Sequence, residues 1–333
     1  MYIPNNWKKM YDGSYAVDGS VAITEDYISD GRLRVRFHKV TGDFDCKYLN
    51  LHTLEGCPQE VGGDFNCEGN VLYSLHGAPK FVSGNFSCAL NKLETLAECP
   101  EYIGGNFSIR KNRLKDLKGS PRSIYGWFIC DDNPLKTLIG GPEKVKNFSC
   151  LHTQLQSLRG APYVIESFYC QSNKLQTLSG VQEEIYGHFN CSNNLLESLV
   201  GGPKKIHGSY YCDNNNLKDL HGAPEWVGDS FECHDNQDLY DYTWIPKHVG
   251  GDVHFSNTEV FTNEIEKFKR IKASTLPALV NHKKLLAGTT IDWAGFDRTL
   301  FDYARWIPLG NMRHENLTTR QKKELQAIRV SGL

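Results

Sequence analysis

The chain has 333 residues, 40% of them hydrophobic, and its 37 Lys and Arg nearly balance 39 Asp and Glu, for a formal net charge of −2. No apolar run is long enough to cross a bilayer as a helix and no charged-then-apolar signal segment stands at the start. The expected compartment is therefore the cytoplasm, with no membrane partner.

From residue 40 onward, Phe-x-Cys recurs at an interval of about 21 residues, with Cys46, Cys67, Cys88, Ile109, Cys130, Cys150, Cys170, Cys191, Cys212 and Cys233 in one slot. Such a period is the mark of a repeat architecture. About eleven repeats are legible, the last with Phe255 in the cysteine slot. The unit running from Phe65 to Val82 reads Phe-x-Cys-x-x-Asn-x-Leu-x-x-Leu-x-Gly-x-Pro-x-x-Val. Two leucine columns, Leu51 to Leu217 and Leu54 to Leu220, have no gaps. The asparagine column is replaced at Leu49 and Thr153, and the proline column fails at Gln182.

The alternation Phe-x-Cys places two apolar side chains on one face of a short strand. One unit cannot bury its Phe, Leu and Val alone, whereas stacked units can. The asparagine amide is expected to satisfy backbone groups where the chain leaves the strand, so that stacked asparagines form a ladder. Gly and Pro, as in Gly77-Ala78-Pro79, predict an extended or turn-rich return path with little room for a helix.

With Val or Ile, Phe and Cys in its first three slots, this wording resembles the leucine-rich repeat signature Leu-x-x-Leu-x-Leu-x-x-Asn-x-Leu over roughly residues 40 to 258. It is most similar to the short bacterial subtype and to repeat proteins of large tailed bacteriophages. The resemblance implies an α/β solenoid that binds a macromolecule on its concave face, and, for a phage product, residence in the host cytoplasm. Residues 17 to 23 read as a degenerate unit within an N-terminal cap spanning 1–39, followed by the solenoid at 40–258 and a C-terminal helical cap at 259–333.

Most of the eleven cysteines fall in the core slot, where Cys serves as a small apolar residue and a reduced column is expected. No motif for a phosphate loop, a catalytic triad or a zinc protease occurs, and no cofactor or metal is expected. Bacterial short-repeat proteins can carry a ubiquitin-ligase domain with a nucleophilic Cys, but no Cys follows Cys233 here. The expectation is a non-enzymatic binding protein.

Specificity is expected in the slots flanking Phe and Cys, which packing leaves free to vary. The slot before Phe is mostly small and polar, as at Asp43, Asp64, Asn85 and Asn106, until Trp127 breaks the run. Trp127, Ile129, Leu151, Tyr169 and Tyr211, with His188 nearby, predict an exposed patch about 20 Å long. Arg110, Asp131 and Asp213 are polar candidates beside it. The patch suits a protein partner; its alternative role is to pack within the sheet and stiffen it. The repeat shortens to 20 residues at two joins flanking the patch, around Val145-Lys146-Asn147-Phe148 and Ile165-Glu166-Ser167-Phe168. A local change of curvature is expected there.

Beyond residue 260, helices are predicted at Asn263 to Lys272, Pro277 to Ala287, Trp293 to Trp306 and Thr319 to Val330. Residues 261–333 hold 13 Lys and Arg against 7 Asp and Glu, a net of +6, whereas the preceding part holds 24 against 32, a net of −8. Lys267, Lys269, Arg270, Lys272, Lys283 and Lys284 form a candidate basic contact surface for nucleic acid, a less favoured partner than protein. Self-association through the aromatic patch is a further reading.

Overall fold

The computed structural model describes residues 6–239 and 244–255, which form a parallel β-solenoid of about eleven turns of about 21 residues. The chain divides after Leu175 into two compact units. Among the described residues there is no α-helix; a 3₁₀ turn at Glu25–Tyr27 is the sole helical element. The predicted helices, the helical cap and the basic residues Lys267, Lys269, Arg270, Lys272, Lys283 and Lys284 lie outside the described residues. No described helix is long and apolar enough to cross a membrane.

Each full turn carries two short strands. One holds the Val or Ile column, as at Phe81–Val82, and the other the Phe column, as at Phe86–Ser87. In the first unit each column stacks on its equivalents in parallel and in register: Phe86 pairs with Phe65 on one side and Phe107 on the other. The second unit repeats the arrangement, with Phe189 opposite Tyr210 and Ile185 opposite Ile206. In-register stacking brings like side chains together. Phe86 and Phe107 lie 5.4 Å apart with planes 2° from parallel, and Phe189 meets Tyr210 at 5.4 Å. Phe, Cys and both Leu columns are fully buried, and each Phe contributes roughly 2–3 kcal/mol of burial.

The asparagine ladder forms as the residue chemistry requires. Asn112 accepts the Leu93 N–H through Oδ1 at 2.9 Å, while its Nδ2 donates to the carbonyls of Cys88 and Ile109 at 3.1 and 2.9 Å. One side chain thus ties two turns together and pairs three buried backbone groups at that corner. The second unit uses Asn215 in the same way, accepting from Leu196 N–H and donating to Cys191 and Cys212. The corner itself is left-handed: the residue two past Cys has positive φ in turn after turn, including Lys111 at 54° and His152 at 50°. The stack holds ordinary L residues in this strained region.

The first unit opens with the degenerate turn. Val21–Ala22 pairs in parallel with Phe44–Asp45, and Tyr15–Val17 pairs with Phe37–Val40. An antiparallel strand, Trp7–Lys9, folds over Tyr15–Val17 and brings the Trp7 ring against Phe37 at 4.8 Å, with Tyr15 and Tyr27 at 5.7 and 5.4 Å. Four aromatic rings therefore meet at this end of the phenylalanine column.

Of the two shortened joins, Val145–Phe148 changes the strands, whereas at Ile165–Phe168 the strands Tyr163–Val164 and Phe168–Tyr169 stay separate. Elsewhere in the first unit's repeats the Val and Phe strands are separated by a bend, but Ser123–Ile129 and Lys144–Ser149 each run continuously through both positions. Their pairing shifts by one residue between Ile124 and Trp127, because three chain steps on one strand face two on the other, from Val145 to Asn147. Lys144–Ser149 is thus one residue shorter than Ser123–Ile129 between the Val and Phe positions, and the shift falls beside Trp127.

Candidate functional site

The slot before Phe is not free to vary, which corrects the expectation from the sequence. The Asp64 N–H donates to Asp43 Oδ1 at 2.8 Å, Asn85 N–H to Asp64 Oδ1 at 2.7 Å, and Asn106 N–H to Asn85 Oδ1 at 2.8 Å. These small polar residues form a second ladder, each serving the backbone of the next turn. The Trp127 N–H donates the last bond of this run to Asn106 Oδ1 at 2.8 Å, and the indole, which has no acceptor, cannot serve the next turn. The ladder resumes where Ser167 N–H donates to Asn147 Oδ1 at 2.9 Å. His188, in the second unit, has the same employment: its Nδ1 accepts the Ser209 N–H at 3.0 Å. His188 is thus a ladder residue.

Trp127 is half-buried and stacks on Tyr169, with ring centroids 5.7 Å apart and planes at 26°. The two belong to strands two apart, Trp127 being opposite Asn147 and Tyr169 opposite Ser149. The indole spans the intervening strand because Asn147 and Ser149 are small and buried beneath it. Ile129, paired with Ser149, and Leu151 are also half-buried on this stretch. Five of the predicted residues therefore share one region of the first unit: Trp127, Ile129, Leu151, Tyr169 and Asp131.

Asp131 is fixed by the sheet. Its Oδ1 accepts from Ser149 Oγ at 2.7 Å and from Leu151 N–H at 2.8 Å. Burial nevertheless raises its carboxyl above the ordinary Asp range, since desolvation outweighs those two donors. Arg110 pairs through Nε with Asp132 Oδ2 at 2.8 Å, and His152 approaches the same carboxylate at 3.5 Å. In the next turn but one from Asp131, Gln171 Oε1 is buried with no hydrogen-bond partner among the described residues. Left without a partner, that buried oxygen carries an uncompensated desolvation cost.

Tyr211 and Asp213 lie on the second unit, both half-buried. Burial raises the Asp213 carboxyl, with His234 opposing that shift. Nearby, His254 Nδ1 lies 2.6 Å from Glu232 Oε2, and His234 Nδ1 lies 2.8 Å from Asp235 Oδ2.

Burial disfavours the thiolate at several positions of the cysteine column. Burial pushes the Cys191 thiol up to about 12 and raises Cys130 and Cys150 as well. Several of these thiols donate to the next turn's carbonyl, Cys130 Sγ to Ser149 O at 3.2 Å among them. Among the described residues no three His, Cys, Asp or Glu side chains converge as a metal site would require.

A second aromatic surface escaped the sequence reading. Phe81, Tyr102, Tyr125 and Tyr163 flank the Val column of the first unit and are between 42% and 63% exposed. Tyr102 and Tyr125 lie 5.8 Å apart, and Lys144 Nζ sits 5.9 Å from the Tyr163 ring. The residues just before and just after each Val would have shown them, had that column been recognised as a second strand with its own outward flanks. Against family models, curated proteins and solved structures alike, the chain finds no match.

Proposed function

We propose that this chain is a non-enzymatic binding protein that captures a protein partner on the sheet face around Trp127. The observation that carries the reading is the Trp127–Tyr169 stack: a partly exposed aromatic pair set where small polar ladder residues stand in neighbouring turns. Aromatic anchors of this kind supply large contact area at small entropic cost. Ile129 and Leu151 extend the apolar surface, and the Arg110–Asp132 pair provides a polar rim. The repeat wording resembles leucine-rich repeats of large tailed bacteriophages, so a host protein is the partner to seek.

Affinity capture from host lysate, with the wild type and a Trp127→Ala, Tyr169→Ala double variant, tests this. The expected result is a partner retained by the wild type and lost by a double variant that still melts cooperatively. An unchanged set of partners would remove the Trp127 face from consideration.

A further inference from the structure

The first unit carries a basic stripe on a face remote in the repeat from the Trp127 slot. The first Leu of each turn is fully buried, whereas the residues immediately before and after it are exposed or half-buried. Over the turns from Leu93 to Leu175 these flanking slots hold Lys92, Arg113, Lys115, Lys136 and Lys174, with Glu94 the one carboxylate among them. Backbone bonds hold successive turns in line: Arg113 N–H donates to Leu93 O, Lys136 N–H to Lys115 O, and Lys174 N–H to Leu155 O. Arg113, Lys115, Lys136 and Lys174 make no ion pair among the described residues. Some other cations of this unit are paired, as Lys39 is with Glu60 at 2.8 Å and Arg122 with Glu143 at 2.9 Å.

Within the stripe lies a hollow of about 310 Å³ lined by Lys136, Gln154, Gln156 and Lys174. Its rim is cationic and its middle is carboxamide, with both donors and acceptors. The equivalent slots of the second unit differ in kind: Glu197 there pairs with Lys218 at 3.2 Å. The excess of positive charge is therefore local to one face of one unit, although the chain up to residue 260 is acidic as a whole.

We propose that this stripe binds the phosphate backbone of a single nucleic-acid strand. Four turn spacings separate Lys92 from Lys174, about 19 Å at roughly 4.8 Å each, which is the length of a few nucleotides. From Lys92 to Lys174 the slots hold no aromatic or large aliphatic side chain of the kind that anchors a protein interface, and the ring of the exposed Tyr73 one turn before lies 5.7 Å from Lys92 Nζ, where a base could stack. Unpaired cations in a row gain most from a ligand that carries its own row of charges and releases counterions on binding. Gln154 and Gln156 would meet sugar and base edges between the phosphates.

The test is fluorescence anisotropy of a labelled 20-nucleotide oligothymidylate against the full chain, titrated with salt. The reference is an Arg113→Gln, Lys115→Gln, Lys136→Gln triple variant. Because residues 261–333 carry a net charge of +6, the difference between wild type and variant is the quantity read. A strand gives a log–log salt slope of about −0.7 per neutralised phosphate, so the triple variant is expected to lower the slope by about 2 units. At 0.1 M salt that is roughly a 100-fold loss of affinity. A Lys39→Gln control, removing a paired cation, is expected to leave both unchanged. Equal slopes for wild type and triple variant would overturn the proposal. So would poly-glutamate that binds as tightly as the oligonucleotide and loses as much in the variant, which would assign the stripe to an acidic protein.

Discussion

The Trp127 indole lies on the Tyr169 ring, 5.7 Å between centroids, reaching across the strand that carries Asn147 and Ser149. A pair of this geometry couples by about 0.5–1.5 kcal/mol beyond the area it buries. A double-mutant cycle of Trp127→Ala and Tyr169→Ala, followed by urea denaturation, is expected to return a coupling within that range. Zero coupling would mean that the rings share a surface without supporting one another.

Gln171 supplies a contrasting case, since its buried Oε1 has no partner among the described residues. Replacing an unsatisfied buried acceptor by an apolar group of similar size recovers its desolvation cost. Gln171→Met is expected to raise the stability of the free protein by about 1 kcal/mol. The gain is read as a shift of the midpoint in urea denaturation, and a loss of stability would show that the oxygen is satisfied in solution.

Asn112 is the opposite: its amide closes three buried bonds across two turns. Asn112→Ala strands the Leu93 N–H and two carbonyls, at about 1–3 kcal/mol for each group left unpaired. A loss of roughly 3 kcal/mol or more in denaturant midpoint measurements is expected, and Asn112→Asp is expected to lose stability too, because a carboxylate cannot donate to the Cys88 and Ile109 carbonyls.

The left-handed corners give a pair of opposite signs. Lys111 sits at φ 54°, a conformation that costs an L residue about 1–2 kcal/mol and glycine almost nothing. Lys111→Gly is expected to stabilise by about 0.5–1 kcal/mol after the extra chain entropy of glycine is deducted. Gly77 has φ 85°, and a Cβ there would meet Glu55 N and Leu54 C, each at 2.5 Å. Gly77→Ala is expected to destabilise by more than 1 kcal/mol in thermal or chemical denaturation.

His76 predicts a pH response in the first unit. Its ring is bonded to Glu98 at 2.9 Å and Glu55 at 3.3 Å, and the Glu98 hydrogen bond is the largest cause of its raised pKa. A folded-state pKa above the unfolded one means the stabilisation is complete below about pH 6.5 and is lost as pH rises through the folded value. An NMR titration of His76 is expected to show a midpoint above 6.5 that falls in Glu98→Gln. A midpoint unmoved by that substitution would discard the pairing as its cause.

Much of this architecture was legible in one sequence, because a stacked coil reuses its packing at each turn. The columns of Phe, Cys, Leu and Asn state the period, the buried face and the amide ladder directly, and Trp127 declares itself by interrupting a polar run. The ladder before Phe was not legible: Asp64 and Asn85 look like surface residues until the backbone of the next turn is placed within 2.8 Å of each carboxyl or carboxamide. Nor was the second aromatic surface, since Phe81, Tyr102 and Tyr125 gain meaning once the Val column is seen as a strand.

Local spacing along the chain therefore determined which side chains are buried, because burial repeats with the turn and each turn is covered by copies of itself. What only the tertiary structure decided are relationships that cross turns: Trp127 reaching Tyr169, Gln171 left without a partner, and five cations lined up from Lys92 to Lys174. Residues about 20 positions apart in sequence come to lie one strand spacing apart in space, and that distance, roughly 4.8 Å, is short enough for side chains to stack, bond or pool their charge.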